Sequence, residues 1–155
     1  MDAPARLSTG PLPSWPARLE LRFARTPEGT RAVHRRHHGP LRVQRMLYPE
    51  GPDCCHALLL HPPGGIAGGD RLELDIALDD GAHALLTTPG AAKWYRSSTA
   101  PAQQKLRLAV GDGACLEWLP QEAILFDGAH AIQRCEVVLA PRAAMLGWDI
   151  VQLGR

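Results

Sequence analysis

The stretch His61-Pro62-Pro63-Gly64-Gly65-Ile66-Ala67-Gly68-Gly69-Asp70 is the densest source of chemistry in the chain, with four glycines in six residues between a histidine and a carboxylate. Such glycines let a backbone turn sharply or approach another group closely. A phosphate loop would need Gly-Lys-Ser/Thr where this chain has Gly69-Asp70, and the glycine spacing of a dinucleotide site is absent as well. A carboxylate closing the loop repels phosphate; it suits a cation, or a backbone N–H in an Asx-type turn. Both roles stay open for Asp70 on these grounds.

Just upstream, Cys55 and His56 offer a soft and a borderline ligand, and four residues separate His56 from His61. This is one half of a zinc-ligand spacing with no second half, so a closed structural zinc site is not expected. Low-coordination binding of an ion such as Ni²⁺ is chemically permitted by imidazole and thiolate. The four cysteines, Cys54, Cys55, Cys115 and Cys135, read as reduced thiols. The adjacent pair cannot bridge without strain, and Cys115 and Cys135, in strand-like runs, are expected to be small core residues. The basic cluster His34-Arg35-Arg36-His37-His38 lacks interleaved aromatics and reads as a solvated loop, not a nucleic-acid face. No Ser-His-Asp order, nucleophile elbow or His-Glu-x-x-His helix occurs, and nothing selects a pair of carboxylates for glycoside chemistry.

The elements that must position these groups show a period of two. Leu19, Leu21 and Phe23, then Leu72, Leu74, Ile76 and Leu78, then Leu106, Leu108 and Val110, then Cys135, Val137 and Leu139 each alternate with mostly polar neighbours, as half-buried strands do. Gly and Pro number 15 and 14 of 155 residues, well above the average share, which favours turns over a helical bundle. A single short helical turn over residues 90–98 is the only helix anticipated. Strand, Asp-Gly-type turn and strand recur, with Gly81, Gly113 and Arg142 at equivalent places, 32 and 29 residues apart. Stacked coils of a β-solenoid produce that repeat, and so do the hairpins of an antiparallel sandwich. Seventeen Lys and Arg against sixteen Asp and Glu leave a net charge of +1, too little to drive the chain onto nucleic acid or acidic lipid. No apolar run approaches the length of a signal peptide core or a membrane span, and the expectation is a cytoplasmic protein.

Taken together, the motifs resemble one family. Gly39-Pro40-Leu41-Arg42-Val43-Gln44-Arg45, Tyr48-Pro49-Glu50-Gly51 and Cys55-His56 match its opening; the His61–Asp70 loop matches its most diagnostic stretch, with Ala67 where Val is expected. Pro89-Gly90-Ala91-Ala92-Lys93-Trp94-Tyr95-Arg96-Ser97, Leu116-Glu117-Trp118-Leu119-Pro120-Gln121-Glu122, Phe126-Asp127-Gly128-Ala129 and Trp148-Asp149 to Leu153-Gly154-Arg155 continue the series. The chain is identified as similar to UreD-type (UreH) urease accessory proteins. The resemblance implies an all-β protein of strands stacked in coils, with few short helices: a tail over residues 1–14, expected to be disordered, and a UreD-like β domain over 15–155, truncated on its C-terminal side relative to the family. It implies no enzyme, but a scaffold that binds apo-urease together with UreF and, through UreF, the GTPase UreG. Ni²⁺ is then cargo rather than a permanent cofactor, carried along an internal passage. Asp70 and Asp149 fall on acidic positions associated with that passage, with His56, His61 and Cys55 as further candidate ligands; Ala92 stands where a serine is common. The remaining alternatives are an interaction fragment that transfers no nickel and a β-solenoid hydrolase or lyase.

Overall fold

Strand alternation becomes three-dimensional in a computed structural model that describes residues 14–154. All but Ser14 of the expected tail lies outside the described residues. Strands β1 (Pro16–Thr26) and β2 (Gly29–His38) form an antiparallel hairpin, and β3 (Arg42–Val43) pairs antiparallel with β4 (Cys54–Leu60). Three coils follow, each of three strands. They are β5 (Arg71–Leu78), β6 (His83–Thr87) and β7 (Ala92–Trp94); β8 (Ala102–Val110), β9 (Cys115–Leu119) and β10 (Ala123–Leu125); and β11 (Ala131–Leu139), β12 (Ala144–Gly147) and β13 (Val151–Leu153). No helix occurs among the described residues. The helical turn anticipated over residues 90–98 is instead β7 and its flanks: Ala92–Trp94 pairs in parallel with β10, and that ladder satisfies backbone groups a lone helical turn would leave open.

Equivalent strands of successive coils stack in parallel into three sheets, ordered β11-β8-β5-β1-β2, β12-β9-β6-β4-β3 and β13-β10-β7. The fold is thus a short parallel β-solenoid, and the hairpin alternative is set aside. Arg71 lies opposite Gln103 and Ala102 opposite Ala131, so one coil advances 32 residues and the next 29. Because the register is in phase with the alternation, like side chains form columns inside the coil. Leu19, Leu74 and Leu106 make one, Leu21, Ile76 and Leu108 a second, and Phe23, Leu78 and Val110 a third. All nine are buried, each contributing about 1.5–3 kcal/mol by leaving water. The columns continue onto the last coil as Cys135, Val137 and Leu139, where nothing among the described residues covers them and all three are exposed.

Two sequence expectations change here. Cys135 points into the coil but lies on its open end, and Cys115 is half-buried on the outer face of β9; neither is a core residue. The basic cluster is not a loop either. His34–His38 forms the end of β2, paired with β1 from Arg18 to Arg22, and its polar side chains on both faces mark a sheet edge.

Candidate functional site

The His61–Asp70 loop forms the third side of the turn that precedes the first full coil. Ile66 donates its N–H to the Lys93 carbonyl at 2.7 Å, and Tyr95 donates to the Ile66 carbonyl at 2.9 Å, which ties the loop along β7. The glycines are explained by that approach. A Cβ on Gly65 would sit 2.1 Å from the Tyr95 ring, and one on Gly68 would sit 1.9 Å from Ser97 Oγ and 2.7 Å from the Ala100 carbonyl oxygen. What the loop approaches closely is the segment that follows β7, from Tyr95 to Ala100.

Asp70 closes the loop with both carboxylate oxygens. Oδ2 accepts the Ala67 N–H at 2.9 Å, and Oδ1 accepts the Trp15 N–H at 3.3 Å. Its negative charge also reaches His61, whose pKa burial lowers and Asp70 partly restores. The His61 imidazole is therefore neutral at pH 7, with a lone pair available to a metal ion.

A groove of about 950 Å³ runs along the inside of the stack. It begins at Leu59 and His61, passes Thr88 and Lys93 in the first coil and Gln104 and Gln121 in the second, and ends at Arg134 and Asp149 in the third. Apolar side chains such as Leu74, Leu106 and Trp118 make up much of the wall, with a sparse series of polar groups between them. Trp148 is fixed at its far end by an indole N–H donated to the Pro120 carbonyl at 2.8 Å. Cys135 is exposed at the same end, and the partial desolvation its thiol retains, then the nearby Asp149 carboxylate, raises its pKa.

The five residues singled out by sequence separate in space. His61 and Asp149 line the groove, as does Ala92, the position where a serine is common. Asp70 stands behind His61 in the loop. Cys55 is fully buried on the inner face of β4, and its thiol donates to the Tyr48 hydroxyl at 3.5 Å. His56 projects from the other face of the same strand, with Nε2 2.7 Å from Glu50 Oε1. Adjacent strand residues point to opposite faces, so Cys55 and His56 cannot share an ion.

Sequence reasoning missed the thiol one position earlier. Cys54 faces outward, between Glu50 and His56 on one side and His83 and Glu117 on the other. Burial, then the charges of Glu50 and Glu117, pushes its pKa up to about 11. No linear motif announces this cluster, because His83 and Glu117 come from the next two coils.

Fold and groove together define a short parallel β-solenoid with an open groove lined by residues of every coil. Residues 16–155 match a family model described as UreD urease accessory protein, and the chain belongs to that family. It is 58% identical over 142 residues to a urease accessory protein UreD of Delftia acidovorans, covering 91% of this chain and 47% of the relative. The corresponding protein of Dechloromonas aromatica is 56% identical over 143 residues, with 92% and 50% coverage. That of Pseudomonas aeruginosa is 54% identical over 143 residues, with 92% and 51% coverage. The chain spans about half the length of the curated relatives it matches. The family is an accessory family of urease maturation, not a catalytic one.

Proposed function

We propose that this chain is a scaffold of urease maturation that binds apo-urease with UreF and UreG in the cytoplasm and passes Ni²⁺ toward the urease active site, without catalysing a reaction itself. The observation that carries the reading is the family match over residues 16–155, a span that takes in every strand of the described structure. The groove supports the nickel-transfer part of the proposal. Residues of every coil line it, and it encloses about 950 Å³. It offers a neutral imidazole at His61 and a carboxylate at Asp149, separated by weaker amide and hydroxyl groups and by the cationic side chains of Lys93 and Arg134, which oppose a divalent ion. Spaced, incomplete ligand sets suit transit, since a full coordination shell would hold the ion instead.

Each residue then has a role. His61 and Asp149 offer successive contacts to the moving ion. Asp70 acts behind them, shaping the loop through its two backbone hydrogen bonds and opposing the effect of burial on His61.

The reading as an interaction fragment has its own support in the last coil, where Val137, Leu146, Val151 and Leu153 are exposed. Co-expression of the tagged chain with apo-urease, UreF and UreG tests the scaffold role. Retention of urease and UreF on the tag is the expected result. A folded, soluble chain that retains neither would refute it.

A further inference from the structure

The outer face of the sheet β12-β9-β6-β4-β3, opposite the groove, carries an assembly that nickel transit does not use. In-phase stacking sets Cys54 of β4 beside His83 of β6, and His83 beside Cys115 of β9, with Glu117 two residues further along β9 on the same face. The Cys54 Sγ, a His83 ring nitrogen and a Glu117 carboxylate oxygen all lie within 4.8 Å of one another. Cys54 is buried, and the His83 and Glu117 side chains are only 35% and 25% exposed.

The scaffold beneath is a hydrogen-bonded parallel sheet. Three adjacent strands supply the three donors, and the His83 backbone N–H donates at 3.0 Å to Oγ1 of Thr30, a hydroxyl with no exposure to solvent. His83 Nε2 stands 2.8 Å from Glu117 Oε1. Around a tetrahedral ion with bonds of roughly 2.0–2.3 Å, donor atoms lie roughly 3.3–3.8 Å apart. To reach that spacing the His83–Glu117 pair, 2.8 Å apart, must open by about half an ångström, and the thiol, within 4.8 Å of both, must close on the pair. Glu50 and His56 supply the nearest further donors, for each of them also lies within 4.8 Å of the Cys54 sulfur.

We propose that Cys54, His83 and Glu117 form a binding site for a borderline divalent transition-metal ion, Zn²⁺ or Ni²⁺, on the outer surface of the coil. A thiolate with an imidazole and a carboxylate selects such ions over Mg²⁺ and Ca²⁺, which take oxygen donors. A metal held there would clamp β4, β6 and β9 together. The site belongs to the opposite face of the sheet from the groove, so it stands or falls separately from the proposed nickel transit.

Co²⁺ is the probe, because its visible spectrum and its thiolate charge-transfer band report coordination directly. The titration uses the whole chain, at low micromolar concentration, carrying Cys135→Ser to remove the exposed thiol. One tetrahedral Co²⁺ per chain with a thiolate band is expected, displaced by one equivalent of Zn²⁺. Cys54→Ser should abolish the band, and His83→Ala and Glu117→Gln should each weaken Zn²⁺ binding at least tenfold. Cys55→Ala, which alters the neighbouring thiol on the inner face, should leave the band in place. Circular dichroism confirms that each variant is folded. A folded parent chain without a thiolate–Co²⁺ band overturns the proposal, as does a band that survives Cys54→Ser. Loss of the band in folded Cys55→Ala also overturns it.

Discussion

At the scale of single residues, the turns between coils show how one side chain sets the next. Asp80 Oδ1 accepts the Asp112 backbone N–H at 2.8 Å, and Asp112 Oδ1 accepts the Arg142 N–H at 3.1 Å. Each turn's carboxylate therefore fixes the position of the turn above. Arg142 also holds Asp112 through its guanidinium, and that contact is the main reason the Asp112 pKa falls below its ordinary 3.8. A carboxylate with a depressed folded-state pKa stabilises fully above about pH 3.8 and loses that contribution as pH falls through the folded value. Arg142→Gln should thus lower the urea midpoint near pH 6, by a difference that shrinks toward pH 2; an offset constant across that range would contradict the assignment. The glycine loop gives a sharper contrast. Gly68→Ala should cost about 1–3 kcal/mol by overpacking against Ser97 and the Ala100 carbonyl. A Cβ at Gly64 meets nothing within 4 Å, so Gly64→Ala should be close to neutral. Thermal denaturation of both variants decides this, and equal effects would count against the packing account.

Elements were legible from sequence where alternation and turn chemistry agreed. The inward residues of β1, β5, β8 and β11 could be read directly, and so could the 32- and 29-residue advance, since Gly81, Gly113 and Arg142 mark equivalent corners. Pattern alone did not reveal whether those corners joined hairpin partners or different sheets, because both give the same alternation. Three-residue strands such as β7 are too short to show any period, and β2 is polar on both faces, so each was read as something else. Of the candidate residues read from sequence, His61 and Asp149 lie at the groove, whereas Asp70, Cys55 and His56 are not among its lining residues. The cluster around Cys54 was not legible in the sequence, since contacts spaced by a coil become visible only once the register is known. The column argument makes a prediction of its own. Leu108→Ala, in the covered middle of a column, should cost about 2–5 kcal/mol. Val137→Ala, its 44% exposed counterpart on the last coil, should stay within about 0.5 kcal/mol. Similar costs at the two positions, measured by urea denaturation, would mean that the last coil is covered in solution.

For the molecule as a whole, the two ends of the stack differ. At one end the antiparallel strands β2 and β3, short or charged, close two of the three sheets. At the other, β11, β12 and β13 present edges that no strand among the described residues pairs with, together with exposed Val137, Leu139, Leu146, Trp148 and Leu153. Solenoids need a cap where a hydrophobic coil ends, and uncovered edges template association. The isolated chain should therefore self-associate at tens of micromolar, as sedimentation velocity would show; a monodisperse monomer that unfolds cooperatively would contradict this.

The most direct test of the central claim is nickel-dependent urease activation. In the Delftia acidovorans relative, the matching segment would be replaced by residues 16–154 of this chain, and activation of apo-urease measured with UreF and UreG at limiting Ni²⁺. The account predicts that the chimera supports activation, and that Asp149→Ala within it lowers the rate about tenfold, a barrier change of about 1.4 kcal/mol, while urease and UreF still co-purify. A folded, fully assembled chimera that fails to activate urease would contradict it, as would an Asp149→Ala variant indistinguishable from its parent.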